Sequence, residues 1–177
     1  MLPIAPLMIE HRLIERRLSL ARRQLVDLEA GKVDDSLLVD FVAFIRQYAD
    51  HCHHGKEEDL LFVALEAKPL SNDQARILGE LREEHIEGRK LTRELDAARA
   101  AYQQGEFDAL QTIIGHLRQL LDFYPRHIEK EDRHFFLPVM KLFTPAEQEK
   151  LFKAFWEFDA RLYYEDWTRR VSELETG

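Results

Sequence analysis

Six prolines (Pro3, Pro6, Pro69, Pro125, Pro138 and Pro145) and seven glycines are the strong backbone breakers in 177 residues, and they leave very long uninterrupted stretches between them. So few turn residues cannot supply the many short connections of an all-β fold. The stretches between them carry helix-end chemistry. A first helical segment begins near Pro6 and ends at Gly31, a residue suited to left-handed closure. A second starts at Asp34, Asp35 or Ser36 and runs to about Glu66. Ser71 with Gln74 forms a capping box for a third, which continues to about Gln103. A fourth occupies roughly 106–142, and Thr144-Pro145-Ala146-Glu147 caps a fifth that runs to about Leu174. Loops of about three to six residues between helices this long require antiparallel neighbours. The expected fold is all-α: an up-down-up-down four-helix bundle over about 6–142 with an additional C-terminal fifth helix over about 145–174, in one domain of 1–177.

Charge and cysteine usage narrow the function classes. With 25 basic against 33 acidic residues, the net charge of −8 argues against nucleic-acid and anionic-membrane partners. The apolar run Leu2 to Ile9 contains two prolines and leads into Glu10-His11-Arg12, so neither a signal peptide nor a membrane span is expected, and the location expected is cytoplasmic. Cys52 is the single cysteine, which excludes an internal disulfide framework and a thiolate zinc site. Eight histidines, by contrast, are roughly twice the usual share.

Helical periodicity sorts those histidines. Leu7, His11, Ile14, Leu18 and Ala21 follow steps of four and three on the first helix; Leu81, His85, Gly88, Leu91 and Leu95 do so on the third, and Leu120, Tyr124, His127, Glu131 and Phe135 on the fourth. On the second helix His53 shares a face with Ala49, Ile45, Glu57 and Leu61, whereas His54 shares one with Asp50, Gln47 and Glu58, which reads as solvated. An internal repeat agrees: His53-x-x-Lys56-Glu57-Glu58 matches His127-x-x-Lys130-Glu131-Asp132. At about 1.5 Å per residue, His11, His53, His85 and His127 converge within about one turn of bundle depth.

Two carboxylates on core stripes demand a compensating positive charge. Four imidazoles and two carboxylates supply ligands for two cations that would provide it, the carboxylates Glu57 and Glu131 bridging and the histidines terminal, with positions left open for water or a small molecule. Nitrogen and oxygen ligation without thiolate suits iron or manganese better than structural zinc.

These residues resemble the hemerythrin-like, or HHE cation-binding, domain family, through Glu10-His11, His53-x-x-Lys56-Glu57-Glu58, Glu84-His85 and His127-x-x-Lys130-Glu131-Asp132. The resemblance covers about 6–142 and implies a non-heme di-iron centre held by His11, His53, Glu57, His85, His127 and Glu131, with manganese or zinc as substitutes. Oxygen-carrying members place a further histidine four residues after the one on their third helix, where this chain has Arg89. The expected set is therefore four histidines and two carboxylates, closer to relatives that handle nitric oxide, peroxide or iron than to oxygen carriers. Iron-centre repair proteins share the motifs beside an N-terminal cysteine-containing domain, so repair activity is not the expectation here.

Several residues keep two roles. His134, His54, Glu58 and Tyr124 are either additional ligands or outer neighbours of the metal, and Tyr48 and Tyr124 either pack in the core or hydrogen-bond to a ligand at the centre. Pro125 is expected to kink the fourth helix before His127. Leu151, Phe155, Phe158 and Leu162, with Tyr163, Tyr164 and Trp167, either pack the fifth helix on the bundle or form a homodimer surface. The function expected is binding or turnover of a small oxidant (O2, NO or peroxide) at an open iron position. The alternative is a non-catalytic iron-binding, sensing or iron-handling module.

Overall fold

The computed structural model describes residues 2–161 and 166–176, and among these it is a helical bundle without strands. Helix α1 is Ala5–Glu29, and Gly31 beyond it has φ +77°, the left-handed closure its position requires. Helix α2 covers 35–66 as one helical run: α-helical Asp35–Phe44, π-helical Ile45–His54, π-helical Glu57–Phe62 and α-helical Val63–Glu66. The Asp34 side chain caps it by accepting from the Ser36 and Leu37 amides. Helix α3 is Asn72–Gln103, opened by the Ser71/Gln74 capping box. Helix α4 covers 109–140, with a π-helical turn at Glu131–Phe135, and it runs unbroken through Pro125.

The C-terminal region differs from the single helix expected. Helix α5 is Pro145–Arg161 and α6 is Trp167–Thr176, the latter started by Asp166, whose carboxylate accepts from the Arg169 amide at 3.1 Å. An aspartate at that position offers the backbone an N-cap, and so a new helix start, that periodicity alone does not register. Leu162, Tyr163 and Tyr164 lie outside the described residues. Trp167 is buried edge-on against Phe44, and α6 is further tied to the bundle by ion pairs of Arg170 with Asp40 and Arg16 with Glu175.

Each of α1 to α4 packs against two others: α1 on α2 and α4, α3 on α2 and α4. Their inward faces form two apolar clusters. One gathers Ile14, Leu18, Phe41, Phe44, Leu95, Leu117 and Trp167; the other gathers Leu7, Leu61, Phe62, Leu81, Phe135, Phe136 and Phe155. Between them every helix switches to polar residues: His11 between Leu7 and Ile14, His53 to Glu57 between Ala49 and Leu61, His85 between Leu81 and Leu91, His127 to Glu131 between Tyr124 and Phe135. Apolar burial drives the bundle together and thereby traps a charged layer in its middle.

Candidate metal centre

The trapped layer contains His11, His53, His54, Glu57, His85, His127 and Glu131, each at most 2% exposed. Their side chains fall into two groups whose donor atoms lie within 4.8 Å of one another: His54, His85 and His127 in one, His11, His53, Glu57 and Glu131 in the other. The two carboxylates connect the groups. Glu57 lies 3.6 Å from His53 Nε2 and 3.4 Å from His85 Nε2, and Glu131 lies 3.1 Å from His11 Nε2 and 3.4 Å from His127 Nε2.

Each of the four histidines His11, His53, His85 and His127 is divided in function between its two nitrogens. Nδ1 meets a carboxylate: Asp132 at 2.8 Å for His11, Glu10 at 3.0 Å for His53, Glu58 at 2.6 Å for His85 and Glu84 at 2.9 Å for His127. With a carboxylate as acceptor, Nδ1 carries the proton and donates it, so Nε2 is the nitrogen whose lone pair the neutral ring offers inward. None of these four Nε2 atoms has a hydrogen-bond partner, and neither do the four oxygens of Glu57 and Glu131. Buried polar atoms are ordinarily paired. Eight inward-facing atoms in one layer are therefore a donor set of the composition a metal takes.

The outer carboxylates are clasped in turn. Lys56 pairs with Glu10, Lys130 with Glu84, Arg89 with Glu58 and Arg12 with Asp132. The sequence repeat thus has a reciprocal meaning: the glutamate before the histidine on α1 or α3 orients the histidine of α2 or α4, while the acid after Glu57 or Glu131 orients the histidine of α3 or α1. Glu10 and Asp132 stand in the repeated Glu-His and Lys-Glu-acid elements of the sequence, but which histidine each one orients is set only by packing.

His54 overturns its helical-wheel position. It is 1% exposed rather than solvated, stacked on His85 with ring centroids 3.9 Å apart, and both its nitrogens lack hydrogen-bond partners. The cause is the π-helical stretch Ile45–His54, where hydrogen bonds reach one residue further and each residue turns the chain through a smaller angle, so neighbouring His53 and His54 both face inward. Asp50 lies 3.5 Å from His54 Nδ1 and is held by Arg89 at 2.7 Å. Arg89, standing where oxygen-carrying relatives have a histidine, instead clamps the carboxylates beside His54 and His85. His134 is exposed and outside both groups, as is His51, and His116 bonds Gln119 at the surface. Tyr48 stacks on Phe44, and Tyr124 stacks near His54 at 6.4 Å between ring centroids. A third candidate grouping, Glu10, Cys52 and Asp159, surrounds the buried Lys56 ammonium, which pairs with both carboxylates and fills the place of a cation.

Electrostatics in the metal-free protein follow this layout. Burial and the nearby charge of Glu131 push the Glu57 carboxyl well above its usual range, so the pair does not carry two full charges unaided. Burial opposes protonation of His11, yet its hydrogen bond to Asp132 and the facing Glu131 carboxylate prevail and raise it to about 9. Burial and the neighbouring His11 lower His53 to about 4. Burial works against the charge on Glu58, but His85 and Arg89 bring it down to about 2.

Comparison with known proteins agrees with this layer. No curated protein and no solved structure matches the chain. The family model of the hemerythrin HHE cation binding domain matches residues 2–137, which include all seven residues of the layer and the carboxylates around it. The chain belongs to the hemerythrin HHE cation-binding domain family.

Proposed function

We propose that this protein is a non-heme di-iron protein that binds or turns over a small oxidant, O2, NO or peroxide, at its buried layer. In this reading the four long helices run up-down-up-down within one domain of the cytoplasm. The observation that carries it is the set of partnerless inward atoms on five histidines and two carboxylates, with the Nδ1 atoms of His11, His53, His85 and His127 hydrogen-bonded behind them. His54, His85 and His127 would hold one ion, His11 and His53 the other, with Glu57 and Glu131 shared between them. The count of five histidines is restored because His54 stands in for the histidine absent at Arg89. Iron fits a mixed nitrogen and oxygen set of this size, and manganese or zinc would occupy it as substitutes.

When bound, ferrous iron supplies the electrons and the ligand-binding position for reaction with a small oxidant. The chain's own residues do the rest. Glu10, Glu58, Glu84 and Asp132 keep the protons on Nδ1 and aim the rings, and their lysine and arginine partners hold the carboxylates ionised. The apolar clusters on both sides exclude water from the layer. Anaerobic loading should take up two irons per chain and give an optical change on adding peroxide, NO or O2. A fully loaded protein silent to all three would overturn the proposal.

One observation supports the alternative sensing role. Lys56 pairs with Asp159 on α5 at 2.8 Å as well as with Glu10, so the helix beyond the bundle touches the residues that orient His53. Iron-dependent protection of α5 from hydrogen exchange would favour that role, and identical exchange with and without iron would exclude it.

A further inference from the structure

A cavity of about 220 Å³ opens between α2, α3 and α4 and ends at the histidine layer. A water needs only on the order of 10–15 Å³ of such space. Arg46 and Arg93 stand at its exposed side, and Thr92, His54 and Tyr124 at its buried side. Arg89 lines it while drawn to Asp50 at 2.7 Å and Glu58 at 2.8 Å. The neighbouring Gly88 has no side chain to press on the inner rings: a Cβ there would stand 3.2 Å from Phe123 and 3.9 Å from the Tyr124 hydroxyl.

Two groups at the buried end lack partners. Neither nitrogen of His54 is hydrogen-bonded. The Tyr124 side chain is 1% exposed, and its hydroxyl makes no hydrogen bond among the described residues. Burial keeps that phenol well above its ordinary range, so it remains a donor. The unpartnered hydroxyl borders the cavity, so its O–H is left for what enters there. His54 belongs to the donor set of the layer, which leaves Tyr124 as the group facing whatever enters.

Resting on the two-iron reading above, we infer that this cavity is the port to the centre, that it admits a small hydrogen-bond acceptor of the peroxide class, and that Tyr124 donates a hydrogen bond to that molecule. Free NO and O2 accept hydrogen bonds weakly, so the Tyr124 donor at the buried end discriminates against them. A site built around one hydrogen bond favours molecules that complete it over those that cannot.

The test uses iron-loaded protein with Tyr124→Phe and, separately, Thr92→Leu, which adds carbon to the cavity wall. Metal analysis gives the iron content, optical titration of the ferric protein gives azide affinity, and stopped-flow absorbance gives the rates with hydrogen peroxide and with NO. Both variants should keep two irons. Tyr124→Phe should weaken azide binding and slow peroxide about tenfold, the size of one hydrogen bond, with the NO rate within about twofold of wild type. Thr92→Leu should slow peroxide and weaken azide. Peroxide rates and azide affinities unchanged in both variants would overturn the port while leaving the di-iron reading intact. Equal slowing of NO and peroxide in Tyr124→Phe would overturn the discrimination, and loss of iron from that variant would make the residue structural. A wild-type protein that binds two irons and responds to none of the probes would instead defeat the di-iron reading itself.

Discussion

Replacing Glu57 with leucine should make the protein more stable than wild type without metal and less stable than wild type with iron. Glu57 is fully buried, both its oxygens lack hydrogen-bond partners, and its closest imidazole nitrogens are 3.4 and 3.6 Å away. Each unsatisfied buried polar atom costs roughly 1–3 kcal/mol. A leucine of similar volume removes two of them, so about 2 kcal/mol should be regained in the metal-free protein. At about 2–4 °C per kcal/mol for a chain of this size, Tm rises by about 4–8 °C. Iron acts in the opposite direction. An ion present at a hundredfold excess over its Kd stabilises by about 2.7 kcal/mol, so two ions give the wild type about 5 kcal/mol, or roughly 10–20 °C. Glu57→Leu loses a ligand shared by both ions and should lose most of that gain. Circular dichroism melts in chelator and in anaerobic ferrous iron give all four values. The reasoning is refuted if the variant melts below wild type in chelator, or if iron raises both proteins equally.

Three further outcomes follow from the same layout. His11 is raised to about 9 in the metal-free state, so its contribution to stability is complete below the ordinary value near 6.5 and lost as pH rises through about 9. Metal requires the neutral ring, so iron binding at pH 7.5 should release protons, read by calorimetry in two buffers of different ionisation enthalpy; zero release would contradict the assignment of His11. Arg89→Met should lower iron affinity about 10–100-fold by releasing Glu58 and Asp50, while changing metal-free stability by less than about 1 kcal/mol because the pairs are partly exposed. Competition against a calibrated chelator measures it. Asp40→Ala should destabilise by about 3–5 kcal/mol, since it strands the buried Arg17 that it pairs with at 3.1 Å, and should loosen α6 by removing its ion pair to Arg170, read as faster proteolysis.

The sequence made the helices legible wherever a cap or a breaker defines an end. Asp34, Ser71 and Gly31 act where their chemistry places them, because capping is local. The inward positions of His11, His53, His85, His127, Glu57 and Glu131 were equally readable, since apolar neighbours at helical spacing fix the buried face. His54 was not. Its placement depends on a change of helical pitch across Ile45–His54, and the 3.6-residue wheel has no means of expressing that change. The carboxylate partners were hidden for another reason. Glu10 serves His53 rather than its neighbour His11, a contact made across 43 residues of chain that exists only once α1 and α2 pack. Arg89 illustrates both limits: the sequence shows a histidine missing at that position, and only packing shows that the arginine holds the carboxylates beside His54 and His85.

One layer holding two metal ions, with His54 among their ligands, is the central claim. Anomalous diffraction at the iron edge, from crystals grown anaerobically with ferrous iron, tests it most directly. Two peaks are expected, one against His11 and His53, the other against His54, His85 and His127, both in contact with Glu57 and Glu131. A single peak, no peak in the layer, or His54 turned away from both would contradict it.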